Sequence, residues 1–154
     1  MQKRMKLINL FALTLLTSCH PLFCNWESSY TQLTTKPDRA DIIGEYELTD
    51  SSKDFLASRK FTADKYTLTL SEGGEFRFNN GPDLLFNNWA ESNQKLIDKK
   101  GKWSVSCTES YDCLIELTGV CVVPLAEKNG QLAILITVGD GDECNGLVYE
   151  KIKK

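Results

Sequence analysis

The chain has 154 residues, 42% of them hydrophobic and 25% charged, and its 18 basic and 21 acidic side chains leave a formal net charge of −3. That length supports one domain with a real core rather than two of ordinary size. No clustered excess of Lys and Arg marks a nucleic-acid-binding surface, so nucleic acid is not an expected partner.

Lys3, Arg4 and Lys6 open the chain, and Leu7 to Leu16 is an apolar run of ten residues broken only by Asn9 and Thr14. A bilayer span needs about 20 apolar residues, so this run reads as a signal peptide. It ends in Leu16-Thr17-Ser18-Cys19, a segment that resembles the lipobox of bacterial lipoproteins. The resemblance implies cleavage before Cys19, a diacylglycerol on its thiol and acylation of the new amino group. Two or three acyl chains, at about 0.8 kcal/mol per buried CH₂, hold such a protein on the membrane. It also implies attachment to the outer membrane facing the periplasm, because His20 is not the aspartate linked to inner-membrane retention in that family. Residues 1–18 are therefore expected to be a leader, and the remainder carries 15 basic against 21 acidic residues.

Residues 19–41 are expected to form the lipidated cysteine and a flexible tether. They are rich in Ser, Thr, Asn and Gln without periodicity, and about 20 such residues have an r.m.s. span of about 25 Å. Docking of Trp26, Tyr30 and Leu33 onto the domain or the membrane is the alternative.

From residue 42 to 154 the pattern is that of one β domain. Ile43 to Thr49 is the first strand. Tyr66, Leu68 and Leu70 alternate with Thr67 and Thr69, and after the Ser71-Glu72-Gly73-Gly74 turn Phe76 and Phe78 resume the inward pattern. Lys102 to Cys107 pairs with Cys113 to Thr118. Val120 to Ala126 pairs with Gln131 to Val138 across Asn129-Gly130, a sequence suited to a type I′ turn. Gly146 to Ile152 closes the series. This predicts an all-β fold, an antiparallel meander of about eight strands closing into a small barrel or sandwich. Ser51 to Ser58 reads as a short helix capped by Asp50, with Phe55 and Leu56 turned inward. The connection from Asp83 to Ile97 is longer than a hairpin needs and carries Leu85, Phe86 and Trp89. It is a candidate binding loop, with a plug over the barrel end as the alternative.

Five cysteines follow the anchor, and an exported chain meets an oxidising compartment. Five thiols allow 15 ways of forming two bridges. A hairpin bridge between Cys107 and Cys113 is geometrically reasonable, which leaves Cys121 to pair with Cys144 and Cys24 unpaired in the tether. No cofactor is implied, and no metal site, since C-x-x-C spacing is absent and the one histidine is His20. A nucleophile-base pair needs an imidazole poised near neutral pH, and the domain has none. Asp140, Asp142 and Glu143 lie in a Gly-rich turn where solvated acids are normal, and they lack the rest of an EF-hand spacing. Gly44-Glu45-Tyr46 and the closing Gly146–Lys151 resemble the first and last strands of lipocalin-like barrels, with Tyr46 where that superfamily places a tryptophan. That resemblance implies a carrier of a small apolar ligand. The expectation taken from the sequence is a non-enzymatic envelope lipoprotein that binds a protein partner, inhibitor- or immunity-like, with the carrier as the alternative.

Overall fold

The computed structural model describes residues 24–86, 92–108, 111–139 and 143–153. Nine strands and two short helices follow one another: β1 (Thr31–Gln32), α1 (Arg39–Ile42), β2 (Gly44–Leu48), α2 (Asp50–Ser58), β3 (Thr67–Leu70), β4 (Glu75–Pro82), β5 (Leu96–Thr108), β6 (Tyr111–Leu117), β7 (Cys121–Lys128), β8 (Gln131–Thr137) and β9 (Gly146–Lys151). Strands β2 to β9 pair antiparallel in chain order, β9 returns to pair with β2, and β7–β8 completes the ring. The result is a closed eight-stranded barrel, which leaves the sheet without a free edge along most of its circumference.

Alternation explains the strands. In the β3–β4 hairpin Leu68 lies opposite Phe78 and Leu70 opposite Phe76, and all four are buried. Asn129 and Gly130 both take positive φ, 52° and 72°, as a type I′ turn between β7 and β8 requires. The long β5 pairs with β4 from Leu96 to Lys102 and with β6 from Trp103 onward, so one strand serves both neighbours in turn.

Both barrel ends are plugged. At the end where β2 finishes and β9 begins, α2 drops Leu56 (0% exposed) into the core, and Phe61 follows it. Thr49, rather than Asp50, caps this helix. Its Oγ1 accepts from the Ser52 N–H, and Asp50 sits inside the first turn, where a carboxylate complements the helix dipole. At the opposite end α1 inserts Ile42, whose carbonyl accepts the Tyr46 hydroxyl at 2.6 Å.

The segment expected to be a tether is instead bound to the barrel from Cys24 onward. Trp26 and Tyr30 pack on a second apolar cluster of Ala126, Ala133, Leu135 and Val148, on the outside of β7, β8 and β9. Thr31 and Gln32 pair with Glu127 and Ala126 of β7. Leu33 then bridges two strands, its N–H donating to Leu125 O and its carbonyl accepting from the Cys113 N–H. This strap runs diagonally from the α2 end to the α1 end. The physical reason is burial: β8 and β9 are apolar on both faces, and the outer face needs a cover.

Candidate functional site

The barrel interior is the first place to seek a site, and it is filled. Phe78 meets Phe76, Phe86 and Tyr149 edge to face, with centroids 5.7, 5.5 and 5.6 Å apart. Such contacts are specific as well as apolar. The Tyr149 hydroxyl is buried within this packing without a hydrogen-bond partner. Burial, and after it the neighbouring Tyr66 and Cys121, pushes its pKa well above the ordinary phenol value. Cys121 is a free cysteine whose thiol burial pushes up to about 11. A thiol so placed stays protonated near neutral pH and behaves as a small hydrophobe, not a nucleophile.

The depressions lie outside the barrel. One, about 990 Å³, opens at the α1 end between the strap and the edges of β2, β8 and β9. Leu33, Pro37, Ile43, Leu132 and Ile152 give it an apolar lining, and Glu45, Glu127, Lys151 and Lys153 place both signs of charge at its rim. The Lys151 ammonium donates to the carbonyl of Asp41, which ties β9 to α1 beside the groove. A second depression of about 750 Å³ separates the strap from α2. In it the Tyr30 hydroxyl donates to Glu150 Oε1 at 2.5 Å; burial first, then Glu150, raises the pKa of that phenol. Lys53 pairs with Glu47 Oε1 at 2.8 Å, and that contact raises the lysine pKa.

Each candidate residue has a defined position. Cys107 and Cys113 are bridged. Cys121 and Cys144 are not: Cys144 is joined to Cys24, and Cys121 is free. The expected pairing fails because Cys121 shares the inward face of β7 with Val123 and Leu125, packed against the core. Cys144 instead lies in the loop before β9 and meets the start of the strap. Leu85 and Phe86 do not project outward as a binding loop; both pack against the core. Trp89 lies outside the described residues, as do Cys19, Asp140 and Asp142. Glu143 is exposed.

The two described ends of the connection after β4 are held together through Asp83. Asp83 is 1% exposed, and its carboxylate accepts from Ser92 Oγ and the Asn93 N–H, both at 2.7 Å. Its own N–H donates to Lys95 O. A buried carboxylate so satisfied acts as a clasp for the loop. The strap residues Trp26, Tyr30 and Leu33 dock on the domain, the alternative to a free tether. Their signal lay in β8 and β9, where Leu132 to Ile136 and Gly146 to Tyr149 read as unbroken apolar runs.

Among the described residues no group of three or more His, Cys, Asp or Glu is arranged to hold a metal ion. No helix among them is long and apolar enough to cross a membrane. Compared with protein-family models, with curated proteins and with solved structures, the chain matches none. The class defined by the fold is thus a small closed antiparallel barrel with a disulfide-bonded N-terminal strap.

Proposed function

We propose that this chain is a bacterial envelope lipoprotein, anchored through Cys19 on the periplasmic face of the outer membrane, whose barrel binds a protein partner without catalysis. The basic start, the short apolar run and Cys19 support the anchor. Two disulfides agree with an oxidising compartment. The observation that carries the binding mode is the filled barrel: Tyr46, Phe76, Phe78, Leu117, Ile134 and Tyr149 leave less than 2% of their surface exposed. A carrier of apolar ligands needs an interior cavity of several hundred Å³, whereas an inhibitor- or immunity-like protein works from its outer surface. The groove at the α1 end, apolar within and charged at the rim, has the make-up of such a surface.

The test has two arms. Metabolic labelling with a clickable fatty acid is expected to mark the wild type and not Cys19→Ala; undiminished labelling of the variant overturns the anchor. A photo-crosslinking residue at Leu132 is expected to trap one protein of defined mass in envelope preparations. Native mass spectrometry that finds a co-purifying lipid or other small apolar molecule, with no protein adduct, decides for the carrier.

A further inference from the structure

The Cys24–Cys144 bridge fixes where the strap begins, and with it how near the domain must stay to an anchor. Cys144 belongs to the loop joining β8 to β9, at the barrel end plugged by α2. At that same end the Trp26 indole covers Gly146 so closely that a Cβ there would come within 2.2 Å of the ring. The described part of the chain therefore begins at the α2 end. From Cys24 back to Cys19 is five residues. Fully extended, five residues reach about 17 Å at most, less than the r.m.s. span of about 25 Å that a free tether of about 20 residues gives.

We infer that the α2 end of the barrel lies against the lipid headgroups and that the α1 end, with its groove, faces the compartment. This rests on the reading of Cys19 as lipidated. Two features of the α2 end fit a lipid surface. Val122, at 61% the more exposed of the two large apolar side chains exposed among the described residues, is the second residue of β7, whose start lies at this end. Among the described residues of this end, exposed Arg59, Lys60, Lys65 and Lys95 are interleaved with exposed Asp50, Asp54, Asp64 and Glu143, and the same connections also carry Glu91, Asp140 and Asp142 in sequence, so there is no basic excess. With no net attraction to anionic lipid, the orientation is set by the short, disulfide-held leash rather than by charge.

The experiment is an amine footprint on native lysines. The lipidated full chain in phosphatidylcholine vesicles, with and without phosphatidylglycerol, is acetylated briefly beside the soluble Cys19→Ala form. Mass spectrometry reads the rate at each lysine. Several-fold slower acetylation of Lys60, Lys65 and Lys95 on vesicles is expected, with Lys36, Lys128 and Lys153 unchanged. The pattern should persist without anionic lipid and at about 1 M salt, where the Debye length is about 3 Å. Equal rates at both ends, protection at the α1 end, or protection that vanishes with salt overturns the orientation. The same spectra report the mass of Cys19. An acylated Cys19 with no footprint sinks the orientation alone, whereas an unacylated Cys19 sinks the lipoprotein reading and the orientation together.

Discussion

Replacing both Cys24 and Cys144 with alanine removes a bridge that closes 120 residues, most of the domain, whereas Cys107–Cys113 closes 6. In the chain-entropy treatment a loop of that length constrains the unfolded chain by about 4.9 kcal/mol at 25 °C, against about 2.2 kcal/mol for the short one. Total stabilities of small domains are about 5–15 kcal/mol, so the variant should lose a third or more of its stability. Urea unfolding, followed by tryptophan fluorescence and far-UV circular dichroism, measures this by linear extrapolation. The slope against urea should rise as well, because an unbridged denatured chain exposes more surface. A loss below about 2 kcal/mol, no larger than the short loop supplies, would refute the argument. So would non-reducing peptide mapping that joins Cys144 to Cys121.

Tyr149→Phe removes a buried hydroxyl that has no partner; its stability should be unchanged or higher by about 1–3 kcal/mol in the same urea assay, since the desolvation penalty of an unmade hydrogen bond disappears. Phe86→Ala should cost up to about 3 kcal/mol, less than truncating a fully buried aromatic because the ring is only partly buried against the core; a melting temperature equal to wild type would restore the connection after β4 as a free binding loop. Gly146→Val should expel Trp26, read as a red-shifted emission and as protease cleavage between residues 24 and 33 of an otherwise folded barrel. The Cys121 thiol has a folded pKa of about 11 against an ordinary 9.0. Its alkylation should stay slow at pH 8 and accelerate only toward pH 11. Because the unfolded thiol ionises first, this group withdraws stability as pH rises from 9 toward 11; fast labelling of native protein at pH 8 would contradict its burial.

The strands were legible because half-buried strands write a period of two into the sequence. Tyr66, Leu68 and Leu70 face the core as their spacing predicts, and the Asn129-Gly130 turn needs positive φ at both positions, which few other dipeptides tolerate. The first half of β5 was not legible. Lys99, Lys100 and Lys102 lower its strand propensity, and it is a strand because β4 offers it a full edge; here pairing overrides propensity. The strap was illegible for a different reason. It is held by three side chains, Trp26, Tyr30 and Leu33, plus a two-residue strand, so it has no period of its own. Only the two-sided apolarity of β8 and β9 announced that something must cover them. Reading residues 19–41 as a tether removes Cys24 from the pairing problem, and that single step gives the wrong partner for Cys144. Nothing local in the sequence distinguishes a groove made by three distant segments, so the α1-end depression had no sequence signal.

The long-range bridge also sets an order of events during maturation. At synthesis rates of about 5 to 20 residues per second, Cys144 follows Cys24 by about 6 to 24 s. Cys107 and Cys113, six residues apart, emerge together and can close at once. Cys24 meanwhile is a reactive thiol whose only available partners are wrong ones: Cys107, Cys113 and Cys121. Thiol–disulfide exchange must undo any such mispairing, and the correct link becomes the favoured one once β9, the last strand, has closed against β2 and presented the loop holding Cys144. The first cysteine of the domain is thus the last to be secured, and its stable link to Cys144 marks a barrel that has shut. Rapid oxidation before closure should trap mispaired species that a disulfide isomerase rescues.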